Sequence, residues 1–215
     1  MHVIVSGTAS GIGLAIAKKF LDAGHSVTGF DLRQSAIDHP RYRHIVADIR
    51  SASAEGIEPA EILINNAGTL EEQDAIEVNL TGTIRFTRQF LESTKLRSVL
   101  FIASASARNG AEFPLYVASK AGLVGYMKNL ALALSKRGVT VNSISPGGVI
   151  TPANRHILES ESLYAAVKAE TLLGKWAEAE EIADLAYYLT AVNRSITGED
   201  ILIDNGEMLK SNFIW

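Results

Sequence analysis

HVIVSGTASGIGLAIAKKF, His2 to Phe20, is the stretch that decides the fold. A short apolar run rich in Val and Ile passes directly into a glycine-rich turn, Ser6 to Gly13, and then into apolar residues at helical spacing. Further runs of the first kind follow: HSVTGF (His25 to Phe30), HIVA (His44 to Ala47), EILIN (Glu61 to Asn65), SVLFIAS (Ser98 to Ser104), VTVNSI (Val139 to Ile144) and DILID (Asp200 to Asp204). Most are continuously apolar, the mark of strands covered on both faces, as in a parallel sheet. Helical patterns lie between them at Ile12 to Ala23, Thr81 to Thr94, Leu115 to Lys136 and Glu178 to Thr190. The alternation predicts an α/β protein, a single-domain Rossmann fold whose seven-stranded, mostly parallel, doubly wound sheet carries helices on both faces. Two crossings are short for it, with 16 residues between Asp48 and Asn65 and 10 between Gly68 and Asn79, so stubby or irregular helices are expected there.

The turn has a chemical reading. A helix N-terminus presents unpaired N–H groups and a partial positive charge, so a diphosphate can sit there if nothing blocks close approach. Gly7, Gly11 and Gly13 leave out side chains where the chain turns, where backbone meets ligand and where the helix packs on the sheet. A glycine triplet alone equally describes a tight strand-to-helix turn. Asp31, however, ends the second strand 20 residues after Gly11, near the ~20 expected of the acidic residue that binds an adenosine ribose. A carboxylate accepts both ribose hydroxyls and repels a 2′-phosphate, and Ser10, not a basic residue, precedes Gly11, so NAD is expected over NADP. Arg33 either keeps NADP open or is solvated surface. Asp48, just after the third strand, caps a turn, hydrogen-bonds an adenine amine, or does both.

Composition excludes several other classes. A length of 215 residues, 47% hydrophobic and 20% charged, fits one soluble globular domain, 1–215. With no cysteine there is no disulfide, thiolate metal site or cysteine nucleophile. The net charge of -4 gives no footprint for nucleic acid. No apolar run reaches the ~18 residues of a membrane helix, and Met1 leads straight into a strand, so no membrane association and a cytoplasmic location are expected. His2, His25, His39, His44 and His156 have no metal-ligand spacing, and no metal site is expected. Trp176, Tyr187 and Tyr188 read as packing, and Glu178, Glu180 and Glu181 as complements to a helix dipole.

YVASK, Tyr116 to Lys120, puts a tyrosine and a lysine four residues apart on one helix face. Tyrosine works as acid or base only if its pKa of ~10 is brought down, and a nearby ammonium would do that. Pairs at this spacing are also common on solvated faces. Their company decides: Gly7, Gly11 and Gly13; NNAG at Asn65 to Gly68; VNLTG with Asn79; IAS with Ser104; YVASK; PGGVITP at Pro146 to Pro152. LGKWAEAEEIADLAYYL and SITGEDILIDNG follow them. Over nearly its full length the chain resembles the main branch of the short-chain dehydrogenase/reductase family, and is similar to bacterial sugar-acid dehydrogenases and 3-oxoacyl-carrier-protein reductases.

The resemblance implies an oxidoreductase moving a hydride between NAD(H) and a secondary alcohol or ketone. It implies that Tyr116 exchanges a proton with the substrate oxygen, that Lys120 lowers the tyrosine pKa and binds the nicotinamide ribose, and that Ser104 fixes the substrate oxygen. It implies that Asn79 anchors a water linking Lys120 to solvent. Asn65, Ala67 and Gly68 would line the adenosine side. Pro146, Gly147, Val149 and Thr151 would shape the nicotinamide pocket, and Ser10, Ile12, Leu32 and Ile49 join Asp31 and Asp48 as implied cofactor contacts.

Some positions depart from the family pattern. Ala103-Ser104-Ala105-Ser106 replaces two adjacent serines, leaving Ser104 as the match and Ser106 as the weaker substitute. Only 11 residues separate Ser104 from Tyr116, and Asn205 stands where a second glycine is common, a turn variant that accepts positive φ. The chain is short for the family, with the shortening in the crossings before Asn65 and Asn79 and in the loop before Tyr116. The segment 153–173 is the implied substrate lid, in which Arg155 and His156 meet a polar substrate or are surface. Helices Thr81 to Thr94 and Leu115 to Lys136 imply a homodimer or homotetramer. Two other readings are an NADPH-dependent 3-oxoacyl reductase and a non-catalytic nucleotide-binding scaffold; a methyltransferase leaves YVASK and PGGVITP unexplained.

Overall fold

The computed structural model describes residues 1–209; of the expected single domain, 210–215 lie outside that range. Seven strands form one sheet: β1 (His2–Ser6), β2 (Ser26–Asp31), β3 (Tyr42–Val46), β4 (Ile62–Asn65), β5 (Ser98–Ile102), β6 (Thr140–Pro146) and β7 (Asp200–Ile203). All neighbours are parallel, in the order 3-2-1-4-5-6-7. The chain therefore winds outward one way from β1 through β2 and β3, and the other way from β4 onward. The reversal between β1 and β4 opens a crevice at the carboxyl ends of the strands.

Alternate residues of the central strands feed two cores, which is why those strands read as unbroken apolar runs. Val3 and Val5 of β1 with Ile62 and Ile64 of β4 pack on α1 (Gly11–Asp22) through Ile16 and Phe20. Ile4, Leu63, Val99 and Phe101 face the other way, onto Phe86 of α2 (Thr83–Arg88) and Leu123 and Met127 of α3 (Pro114–Leu134). Phe20, Phe30, Phe86 and Phe101 are fully buried, each stabilising the fold by about 2–3 kcal/mol. Pro114 starts α3, where its missing N–H has no helical partner to lose. Beyond it lie α4 (Glu161–Ala169) and α5 (Ala179–Tyr187), the latter closed by a reciprocal capping box between Glu178 and Glu181.

The short crossings are irregular, as their lengths require. No helix joins β3 to β4; the Gln89 amide braces that crossing instead, accepting from Ala54 N at 2.9 Å and donating to Ala52 O at 2.8 Å. Between β4 and α2 come a single 3-10 turn, Glu72–Asp74, and a π-helix, Ile76–Gly82. The helix expected over Thr81 to Thr94 is thus corrected: its regular part ends at Arg88, and turns with i→i+3 bonds such as Phe90 N to Thr87 O take over. Phe86 and Phe90 keep helical spacing through that change, because their rings pack edge to face at 5.1 Å. Asn205 does adopt positive φ, +55°.

Candidate active site

A groove of about 600 Å³ crosses the crevice. At one end α1 begins with Ser10 as N-cap and no side chain capping it, so its first N–H groups face the groove free of protein acceptors. Gly7 has φ +77°, and a Cβ there would lie 2.6 Å from Asn66 Nδ2; one on Gly13 would fall on the Gly7 carbonyl. Both glycines are steric necessities of the turn. Gly13 packs behind it and does not line the groove.

Asp31, only 8% exposed, is clamped beside this turn. Its Oδ2 accepts from Ala9 N at 2.9 Å and its Oδ1 from Arg33 N at 2.9 Å, while Arg33 Nη2 donates to Ser10 Oγ at 2.8 Å. Asp48 accepts from Arg50 N at 2.8 Å, which is a turn cap, and pairs with the Arg50 side chain at 2.6 Å. That guanidinium holds the Asp48 carboxyl below the usual range. Leu32, Ile49, Ile12, Ala67, Gly68, Pro146, Gly147, Val149 and Thr151 line the same groove.

Besides Gly13, two further expected positions lie elsewhere. Asn65 is 2% exposed and points beneath the groove, accepting from Thr87 Oγ1 at 3.1 Å; the expectation that it lines the adenosine side is corrected in favour of its neighbour Asn66. Successive residues of a strand face opposite ways, and the first asparagine of NNAG falls on the helix side. Asn66 Nδ2 donates to Ser6 O at 3.0 Å and Gly7 O at 3.2 Å, tying the β4 loop to the glycine turn. Asn79, 1% exposed, also stands behind the wall. Its amide brackets Thr69 N and Thr69 O at 2.8 and 3.0 Å and reaches Ser119 Oγ at 3.2 Å.

At the other end Ser104, Tyr116 and Lys120 converge, coming from the end of β5 and the first turns of α3. Lys120 Nζ lies 5.7 Å from the Tyr116 ring centre and donates to Ile102 O at 3.0 Å. Ser106 proves to be a partner of Ser104, not a substitute: Ser106 Oγ and N donate to Ser104 Oγ at 2.8 and 3.2 Å. With its lone pairs engaged, the single proton of Ser104 is left to point outward, toward Tyr116.

The electrostatics differ from the sequence expectation that Lys120 lowers the tyrosine pKa. Burial pushes the Tyr116 phenol up to about 12, against a downward pull from the Ser104 hydroxyl and with a further upward push from the Glu112 carboxylate. Burial likewise depresses Lys120, to about 8, with Glu112 opposing. The phenol is a neutral proton donor near pH 7, and the lysine is close to its own titration. Glu112, which the sequence did not single out, lines this end with φ +96°, a conformation unusual for a residue with a side chain. Opposite, the Trp176 indole covers Gly148, where any Cβ would collide with the ring.

A dinucleotide fits what these residues offer: free helix N–H groups at a glycine turn, a fixed carboxylate one strand away, and a buried Tyr–Lys pair at the far end. The model of the family described as enoyl-(acyl carrier protein) reductase matches residues 7–207. The chain is a short-chain dehydrogenase/reductase. An acetoacetyl-CoA reductase of Paracoccus denitrificans is similar to this family member at 30% identity over 233 aligned positions, covering 94% of this chain and 96% of that protein. Among solved structures, 4-hydroxyisoleucine dehydrogenase complexed with NADH is 28% identical with a TM-score of 0.85, covering 98% of this chain and 99% of that one. A putative 2-deoxy-D-gluconate 3-dehydrogenase of Agrobacterium tumefaciens with bound NADP is 25% identical with a TM-score of 0.87, covering 97% and 96%. This short-chain dehydrogenase/reductase is accordingly a nicotinamide-dependent oxidoreductase of alcohols and ketones. No helix among its described residues is long and apolar enough to cross a membrane.

Proposed function

We propose that the enzyme interconverts a secondary alcohol and its ketone with NAD(H), Tyr116 carrying the proton. The observation that supports this most is the buried convergence of Ser104, Tyr116 and Lys120 at the end of the groove, with the phenol pushed up to about 12 and therefore neutral near pH 7. Bound nicotinamide would supply the hydride chemistry at the carbinol carbon. The protein's part is to hold the substrate oxygen between the Ser104 hydroxyl and the Tyr116 phenol: in ketone reduction the phenol gives its proton to that oxygen, and in alcohol oxidation the phenol first releases its own proton by way of Lys120 and then takes the carbinol's. Lys120, near its titration point, passes charge to or from solvent, with the Asn79–Thr69 bracket fixing the wall beside it. The helix N–H groups with Gly7, Ser10, Gly11 and Ile12 would hold the diphosphate, and Asp31 the ribose hydroxyls.

Asp31 supports NAD, since its fixed negative charge repels a 2′-phosphate. The second reading, NADPH with a 3-oxoacyl substrate, draws on one observation: the Arg33 guanidinium reaches Ser10 at the groove wall. Calorimetry with NADH and NADPH separates them, and NADPH binding more tightly reverses the order. The segment 153–173, exposed over much of its length, serves as the substrate lid. An exposed stripe on α3, Ala118, Ala121, Gly125 and Leu132, supports a homodimer or homotetramer, and use of a diffusible dinucleotide accords with a cytoplasmic location. The deciding experiment for catalysis is Tyr116→Phe, assayed by nicotinamide absorbance with alcohols and ketones. Loss of activity by about 10²-fold or more is expected, and full activity overturns the assignment.

A further inference from the structure

The substrate end of the groove carries one carboxylate that the mechanism does not use. Glu112 lines the groove beside Ser104 and Tyr116, and among the described residues its side chain makes no hydrogen bond or ion pair. Its backbone holds φ +96°, immediately before Phe113 caps α3, so the loop carries the side chain into the site from a strained position. The residue as a whole is exposed to solvent, yet the partial burial of its carboxyl and the like charge of Glu207 set it above the usual carboxylate range, with Lys120 opposing. Glu207 stands close behind the Gly147 turn, its Oε2 2.9 Å from where a Cβ on Gly147 would lie.

Positive charge is distributed against an anionic substrate. Among the described residues, the cations lining the groove are Arg33, Arg50 and Lys120. Arg33 and Arg50 are paired with Asp31, the last residue of β2, and Asp48, which follows β3, at the adenosine side of the sheet. Lys120 is 6% exposed and its ammonium is turned to the Ile102 carbonyl. No guanidinium in the lining of this end is placed to receive a carboxylate or phosphate, and the group that stands there is an acceptor with negative charge.

Building on the proposed oxidoreductase function, we propose that Glu112 determines specificity: it accepts a hydrogen bond from a donor, hydroxyl or ammonium, on the carbon next to the reacting carbinol, and it turns away anionic substrates. The substrate class is a vicinal diol, polyol or amino alcohol, with hydroxy acids and phosphorylated thioesters disfavoured. An accepted hydroxyl also orients the carbinol toward Tyr116, because the two contacts fix the carbon skeleton at two points.

The test compares kcat/KM for 2-butanol, 2,3-butanediol, 3-amino-2-butanol and 3-hydroxybutyrate with NAD in the full chain. The diol or the amino alcohol is expected to exceed 2-butanol by about tenfold or more, the worth of a hydrogen bond to a charged group, and which of them leads identifies the donor. Glu112→Gln is expected to shrink that ratio, and Glu112→Arg to raise the ratio of 3-hydroxybutyrate to 2-butanol by about tenfold or more. A readout without turnover accompanies it: in the presence of NADH, succinate should raise the melting temperature of Glu112→Arg and leave wild type unmoved. Wild-type preference for 3-hydroxybutyrate, or ratios and melting shifts that neither substitution changes, overturns the assignment. Absence of both NADH binding and turnover fails the underlying function instead, whereas the melting-temperature contrast with intact NADH binding upholds Glu112 even without turnover.

Discussion

Replacing Lys120 by Met should abolish activity and at the same time make the protein more stable. In the folded chain burial takes the ammonium from the 10.5 of a free lysine to about 8, so the folded state disfavours the charge that the unfolded state keeps. At about 1.4 kcal/mol per pH unit that difference is about 3 kcal/mol. Methionine has similar length and no charge, so it removes this penalty; it also leaves Ile102 O without its donor at 3.0 Å, a loss of about 1 kcal/mol. The net is a gain of about 2 kcal/mol at pH 7, or about 4–8 °C in melting temperature for a chain of this size. The sign fixes the pH window. A lysine whose folded pKa lies below its unfolded one destabilises fully below about pH 8, and the effect fades as pH rises to 10.5, where both states are neutral. Calorimetric melts of wild type and Lys120→Met from pH 7 to pH 10.5 should show a gap that is widest at pH 7 and closes upward. A variant that melts below wild type at pH 7, or a gap that stays constant with pH, refutes the claim that burial governs this lysine.

Ser106→Ala should lower kcat by about tenfold with little change in KM, because Ser104 loses its best fixed donor and with it the direction of its own proton; Ser106→Thr should restore much of the rate, and an unchanged kcat in the alanine variant removes Ser106 from the mechanism. Gly148→Ala should destabilise by about 1–3 kcal/mol, read as a lower denaturation midpoint, since its methyl must displace the Trp176 indole. Glu112→Gly should stabilise by about 1 kcal/mol in urea titrations, because glycine takes the +96° φ without strain, while the substrate preference attributed to Glu112 is lost.

The sheet was readable because parallel strands are buried on both sides: ILI in β4 and VLF in β5 have no polar alternation to confuse with a surface strand. The short crossings were readable by counting alone. Local pattern could not see the π-helix at Ile76–Gly82 or the stop at Arg88, because Phe86 and Phe90 keep helical spacing through a change of hydrogen-bond register. Strand phase decides between Asn65 and Asn66, and a motif treats them as one unit. Spacing put Lys120 beside Tyr116, but the raised phenol depends on how much water the groove excludes, a property of residues distant in sequence. Glu112 was invisible for the same reason, since a loop residue gains a role only when its loop closes on a site.

The crossing between β3 and β4, braced by side chains such as Gln89 and Arg43 where a helix would otherwise lie, makes this chain a receptive host for added sequence. Gly56 at its tip is exposed, has φ +70°, and has no atom within 4 Å of where a Cβ would be. It lies outside the lining of the groove and beyond the carbonyl and amide braced at Ala52 and Ala54; its own carbonyl accepts an exposed contact from Arg43 Nη1 at 3.1 Å. A fluorescent or affinity module inserted after Gly56 would hang from the sheet's flank away from the groove, turning an abbreviated connection into an attachment point for reporting on the enzyme.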